Sequence, residues 1–450
     1  MRIKQEDILE AQIRINDIIH KTPVLTNQSI DQISEAHLFF KCENFQKIGA
    51  FKMRGAANVV FSKNKKEKLN GFATHSSGNH AQAVALSSKL AETTAHIVMP
   101  KGTPEIKKKA VKSYGANIYY CDNNEKAREK MCNNVIKKTQ SHFIHPYNDY
   151  GVITGQATCF KEMCDDGYNL DYIVTPVGGG GLAAGIAVYL KQLKPDIKLI
   201  AVESEESACF AAAKAAGEPV SLPTVGIFAD GVAVKLMGSE TFRLCNQYID
   251  EVMTVTNDEI CAAIKDIFDD TRVIAEPAGA MSIAAIRKYV NEHNISGQKL
   301  GGILCGANTN FHTLRYVSER CELGEQKEAV FAVKIPERQG AFKQFCEYLG
   351  GRTITEFNYR YASETEAHIF VGIKLRGGRK EFEALSADLT SKGYECFDLS
   401  DNELAKLHVR HMVGGRPPTI LNEVVFSFEF PEYPGALLNF LNTLGERWNI

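Results

Sequence analysis

Two periodicities take turns along roughly the first 320 residues of the chain. Short runs rich in apolar and β-branched residues, at 36–42, 72–74, 95–100, 116–120, 172–177, 198–202 and 300–304, are bounded by polar or glycine-containing turns. Stretches of helical composition, at 54–61, 81–90, 107–113 and 183–193, follow the earlier runs, and a further strand-helix unit covers 252–268. An opening amphipathic helix is marked by Ile8, Ile13 and Ile18. Strands alternating with helices predict an α/β fold, with a parallel sheet covered on both faces and functional groups at the carboxyl ends of its strands.

Past a charged linker near 319–327 the order changes. Strands at 328–335, 353–359, 368–375 and 395–399, with helices through Phe342, Phe345 and Leu349 and over 379–391, give the βαββαβ order of a ferredoxin-like module. That module begins to repeat. Glu328, Phe331, Pro336, Gly340, Phe345 and Leu349 match Glu423, Phe426, Pro431, Gly435, Phe440 and Leu444 at a constant offset of 95 residues. The second copy reaches only its first strand and helix, which cannot bury a ferredoxin-like face alone.

Composition narrows the class. With 450 residues, 44% hydrophobic and 24% charged, the chain is long enough for two or three globular domains. A net charge of -2 offers no general field for nucleic acid or an anionic membrane, and Lys107, Lys108 and Lys109 read as the solvated face of a helix. The twelve cysteines are scattered without a CxxC pair, which fits a reducing cytoplasm, and no signal peptide or membrane-spanning run is expected.

Four stretches carry candidate chemistry. Lys52, between Phe51 and small residues just after a strand, would lose hydration of its ammonium and become available as a nucleophile or base. Gly178, Gly179, Gly180, Gly181 and Leu182 lie between a buried strand and a helix, where converging backbone N–H groups and the helix dipole make a phosphate cradle. Ser76, Ser77, Gly78, Asn79 and His80 offer hydroxyls, an amide and free N–H groups at a helix start, suited to a substrate carboxylate. Cys305 ends the last strand of the α/β region. The glycine run followed by Glu203 also satisfies a dinucleotide fingerprint, so a nicotinamide dehydrogenase is a rival reading, and an amino-acid sensor with a dead catalytic domain is another. His75, His80 and His145 read as structural rather than catalytic.

A Lys nucleophile, a phosphate cradle and a carboxylate loop together describe a pyridoxal-phosphate enzyme acting on an amino acid. Lys41-Cys42-Glu43-Asn44, residues 49–55 and 76–80, Gly178 to Leu182, Glu276-Pro277-Ala278-Gly279-Ala280 and Cys305 to Asn308 resemble the fold-type-II pyridoxal-phosphate enzymes, and among them the threonine dehydratases. The resemblance implies a two-lobed, tryptophan synthase beta-like catalytic domain over 1–322. It further implies an ACT-like regulatory module over 328–415 and the start of a second over 416–450. It places pyridoxal phosphate on Lys52, its phosphate on Gly178 to Leu182, its ring hydroxyl near Asn79 and its pyridine nitrogen near Cys305, with Ser77 on the opposite face. The implied reaction is the dehydration and deamination of L-threonine to 2-oxobutanoate and ammonia. L-Serine is the second substrate and racemisation the alternative activity, with isoleucine and valine as effectors and a homotetramer or homodimer as the assembly. Family members commonly carry serine where Cys305 stands. Glu203 aligns with a metal-ligating glutamate of related racemases, but Ser207 and Cys209 depart from their pattern, so no metal is expected. Because the second regulatory copy is short, isoleucine feedback is expected to be weak or absent.

Overall fold

The structure, a computed structural model, describes residues 3–26, 31, 36–324, 328–336, 338, 341–349, 352–361, 365–375 and 377–400. One compact unit extends to Arg315 and a second begins at Tyr316. In the first, β1 (Val24–Leu25) and β2 (His37–Cys42) precede β3 (Phe72–His75), β4 (Ala95–Pro100), β5 (Asn117–Cys121) and β6 (His142–Phe143). Then come β7 (Tyr172–Pro176), β8 (Lys198–Ser204), β9 (Glu251–Val255) and β10 (Lys299–Leu304).

These strands form two sheets where the alternation alone suggests one. Six take the order β1-β2-β10-β7-β8-β9 and four the order β5-β4-β3-β6. Only the short edge strand β1 pairs antiparallel; the other pairs are parallel. Strands covered on both faces bury every side chain, which is why Ile173 and Val174 in β7 and Leu199 to Val202 in β8 form unbroken apolar runs with no period of two.

Among the helices that lack a clear signature in the sequence are Glu125–Thr139, Tyr150–Asp165, Ser239–Tyr248 and Pro277–His293. The second and fourth are buried around most of their circumference, so no apolar stripe stands out against a polar face.

A buried ion cluster locks the helix Lys52–Ser62 to its surroundings. The Arg54 guanidinium, fully buried, donates to Glu43 Oε1 and Oε2 at 2.8 and 2.7 Å and to Glu162 Oε1 and Oε2 at 2.7 and 2.9 Å. It also reaches Thr158 Oγ1 at 3.2 Å, while Lys41 Nζ donates to Glu162 at 2.5 Å and to the Thr22 carbonyl at 2.7 Å. Burial alone would raise the Glu162 carboxyl, but Arg54 and Lys41 hold it below its ordinary value. The cluster thus joins β2, the helix Tyr150–Asp165 and the segment before β1 to the helix that opens with Lys52.

The second unit has strands β11 (Glu328–Pro336), β12 (Ile354–Tyr361), β13 (Glu366–Lys374) and β14 (Glu395–Asp398), with helices Ala341–Tyr348 and Gly378–Ser391. The antiparallel order β12-β13-β11-β14 is that of the expected ferredoxin-like module. Its core gathers Phe331, Val333, Phe345, Ile369, Val371 and Phe382. Gly340, Gly435 and the second copy of the repeat lie outside the described residues.

Candidate active site

The site is built where neighbouring strands end. β2 and β10 run parallel in register, so the chain leaves both at one level. Beyond that level Ala50 bridges Gly306, the Phe51 N–H donates to the Cys305 carbonyl at 3.1 Å, and the Ala307 N–H donates to the Gly49 carbonyl at 2.9 Å. The turn that allows this has Ile48 and Gly49 at φ of 63° and 68°. Lys52 therefore opens its helix directly beside Cys305.

The cradle follows β7. Gly180 has φ of 87°, and Gly181 is the first residue of the helix Gly181–Leu193. A Cβ on Gly179 would sit 2.1 Å from the Tyr147 ring, and one on Gly178 would sit 2.9 Å from Val232 Cα. Thr241 Oγ1 holds the Gly179 carbonyl at 2.7 Å. With its back packed this way, the loop presents first-turn N–H groups that have no partner within their own helix.

From the four-stranded sheet, β3 delivers Ser76, Ser77, Gly78, Asn79 and His80 at the start of the helix Asn79–Leu90. All of these line one cavity of about 570 Å³ together with Phe51, Lys52, Gly178, Gly179, Gly180, Gly181, Leu182 and Cys305. Pro146, Tyr147, Lys107, Arg128, Asp230, Lys235, Glu276 and Asn308 are also among the lining residues. These last carried no role in the sequence reading. Glu276 and Asn308 stood inside quoted motifs, and an acid set among Ala275, Pro277 and Ala278 was the available signal.

Desolvation lowers the Lys52 pKa to about 8, opposed by the fields of Cys305 and Glu276. Its Nζ donates to the Pro146 carbonyl at 3.0 Å and lies 5.0 Å from the Phe51 ring centre. Burial pushes the Cys305 thiol up, and its Sγ donates to the Ala278 carbonyl at 3.3 Å. Burial, then His75 and Lys52, lower His145 to about 4. Its Nδ1 accepts the N–H groups of Tyr147 and Asn148 at 3.2 and 2.9 Å, which puts its remaining proton on Nε2. His80 Nε2 lies 3.2 Å from the Ile144 carbonyl.

Two expectations change. Glu203 does not line the cavity, as an acid for a ribose hydroxyl would. Buried and raised by desolvation to about 7, its carboxylate accepts the N–H groups of Phe210 and Ala211 at 2.7 and 2.8 Å. Lys107 is not only a solvated lysine, because it pairs with Asp230 at the cavity wall. Among the described residues no group of three or more His, Cys, Asp or Glu is arranged for a metal ion. No helix among them is long and apolar enough to cross a membrane.

The donor set suits a phosphate-bearing carbonyl compound: backbone N–H groups at a helix start, an amine of lowered pKa and the Asn79 amide meet in one cavity. Comparison agrees with that class, since residues 15–306 match the family described as pyridoxal-phosphate dependent enzyme. The structure is similar to serine racemase from Dictyostelium discoideum (39% identity, TM-score 0.65, 68% of this chain and 99% of that one). It is also similar to the processed form of threonine deaminase isoform 2 from Solanum lycopersicum (34% identity, TM-score 0.67, 71% and 94%). Residues 319–409 match the C-terminal regulatory domain of threonine dehydratase. The biosynthetic L-threonine dehydratase of Escherichia coli is 50% identical over 446 residues, 99% of this chain and 87% of that protein. The chain belongs to the threonine dehydratase family, pyridoxal-phosphate ammonia-lyases of fold type II with a C-terminal regulatory domain. The dehydrogenase reading of the glycine run falls with that assignment.

Proposed function

We propose that the protein converts L-threonine to 2-oxobutanoate and ammonia, and that the convergence of Lys52, Asn79, the four glycines and Cys305 on one cavity carries this reading. Pyridoxal phosphate, when bound, supplies the electron sink that lets an amino acid lose its α-proton and then its β-hydroxyl. Lys52 would hold it covalently, Gly178 to Leu182 its phosphate, Asn79 its ring oxygen, and Cys305 would face its pyridine nitrogen. The N–H groups of Ser76 to Asn79 bind the substrate carboxylate. Lys52 Nζ, freed when the substrate amine takes its place, would take the α-proton, its burial favouring the neutral amine. The proton and β-hydroxide leave as water, and hydrolysis of the released enamine yields the oxo acid and ammonia. Ser77 serves the opposite face, where it would support racemisation of serine as a side activity.

Lys52→Ala is expected to lower 2-oxobutanoate release on the order of a thousandfold or more and to abolish the borohydride-sensitive absorbance of lysine-bound cofactor. Retention of both would refute the scheme. The protein's domains are 1–322, 328–415 and 416–450, with isoleucine and valine as effectors acting through the C-terminal part. The match of 319–409 to a regulatory domain supports that reading, and titrating turnover with each amino acid tests it. A cytoplasmic homo-oligomer, a dimer or tetramer, is the proposed working form.

A further inference from the structure

One buried carboxylate in the cavity wall has no part in the scheme above. Glu276 is 3% exposed and occupies the N-cap position of the helix Pro277–His293, yet its side chain makes no capping bond to that helix. It turns to other elements instead. Asn79 Nδ2 donates to its Oε1 and Oε2 at 3.0 and 3.3 Å, and the Asn308 N–H donates to Oε2 at 2.9 Å. Asn308 Nδ2 in turn donates to Asn79 Oδ1 and to the Ile48 carbonyl, both at 2.7 Å.

While ionised, Glu276 can only accept, as can the Ile48 carbonyl, so each amide then has a single orientation that satisfies the network. Asn79 must turn its NH₂ to Glu276 and its oxygen to Asn308. The space for the carboxylate is closed as well: a Cβ on Gly306 would lie 2.4 Å from Glu276 Oε1, and one on Gly231 would lie 3.3 Å from it. Burial, then the charge of Asp230, raises the Glu276 carboxyl to about 7, opposed by these N–H donors and by Lys107.

We propose that Glu276 is a positioning residue that, with Asn308, locks the Asn79 carboxamide so that the cavity meets an N–H and never the amide oxygen, which selects an anionic ring oxygen on the cofactor. This rests on the reading that Asn79 faces that oxygen. Asn79 lines the cavity, and with its oxygen held by Asn308 the nitrogen is the end it can turn there; a rotated amide would present a repelling oxygen.

The test uses the full-length holoprotein with Glu276→Gln, Glu276→Leu and Asn79→Ala. Three quantities are read: the visible spectrum of bound pyridoxal phosphate across pH, its dissociation constant, and the melting temperature after cofactor removal. Glu276→Leu should shift the spectrum in the direction of Asn79→Ala and weaken cofactor binding about tenfold. Glu276→Gln, which keeps one acceptor and nearly the same shape, should give a smaller shift of the same sign and serves if the leucine variant does not fold. A parental spectrum and affinity in both Glu276 variants, with only the melting temperature lowered, would overturn the proposal and leave Glu276 a structural residue. If Asn79→Ala itself leaves the spectrum unchanged, the assignment of Asn79 fails and the proposal with it.

Discussion

Glu43 and Glu162 on one side, and Glu203 and Glu276 on the other, are all buried in the first unit, but they are held in opposite ways. The first two meet Arg54 and Lys41 at 2.5 to 2.9 Å and have their charge matched. The second two accept hydrogen bonds from uncharged amides, and burial raises both to about 7. Burial therefore has opposite outcomes: Arg54 and Lys41 hold Glu162 below its ordinary value, while Glu203 and Glu276 are raised to about 7. What decides the outcome is the partner's charge, since desolvation acts to raise Glu162, Glu203 and Glu276 alike.

The sharpest way to break the first group is Arg54→Met, which leaves two buried carboxylates facing each other. A loss of about 3 to 5 kcal/mol is expected in urea unfolding, because an uncompensated buried charge remains. A loss below 1 kcal/mol would show that water reaches the cluster.

For the second group the contrast is a pH effect. The folded pKa of Glu203 lies above its unfolded value near 4.5, so the native state holds the proton more tightly between about pH 4.5 and 7. The stability this contributes is present below pH 4.5 and lost as pH rises through 7. Glu203→Gln should flatten the fall in stability between pH 5 and 8 by about 2 to 3 kcal/mol, measured by urea titration against the parent. An unchanged slope would mean that the N–H groups of Phe210 and Ala211 already offset the desolvation. The smallest effect belongs to a partly exposed pair at the cavity wall. Lys107→Ala, which removes the partner of Asp230, should alter stability by less than about 1 kcal/mol, and less still in high salt.

The same contrast explains how much was readable in the sequence. Lys52 between Phe51 and small residues, the glycine run after an apolar strand, and the Ser76 to Asn79 helix start are local signals whose meaning depends on chain neighbours. Strand and helix limits came within a few residues wherever a turn residue marked them, as at Ala95–Pro100. The helices Tyr150–Asp165 and Pro277–His293 carry no amphipathic signal because most of their circumference is buried. Asn79 and Glu276 are 197 positions apart, and Arg54 and Glu162 are 108 apart, so no spacing rule could pair them.

By itself the sequence determined the alternation of strands and helices, the change to a βαββαβ module, and the residue types able to hold a phosphate and form a bond to a carbonyl carbon. Those are properties of short segments, set by steric preference and local hydrophobic pattern. The tertiary structure alone decided that the strands divide between two sheets, that Asn79 and Lys52 come to one cavity from different sheets, and which way the Asn79 amide turns. It also decided which buried acids are paired with cations. Each of these depends on groups distant in the chain sharing a site from which water is excluded, where a charge or an amide orientation is set by whichever partner the fold brings there.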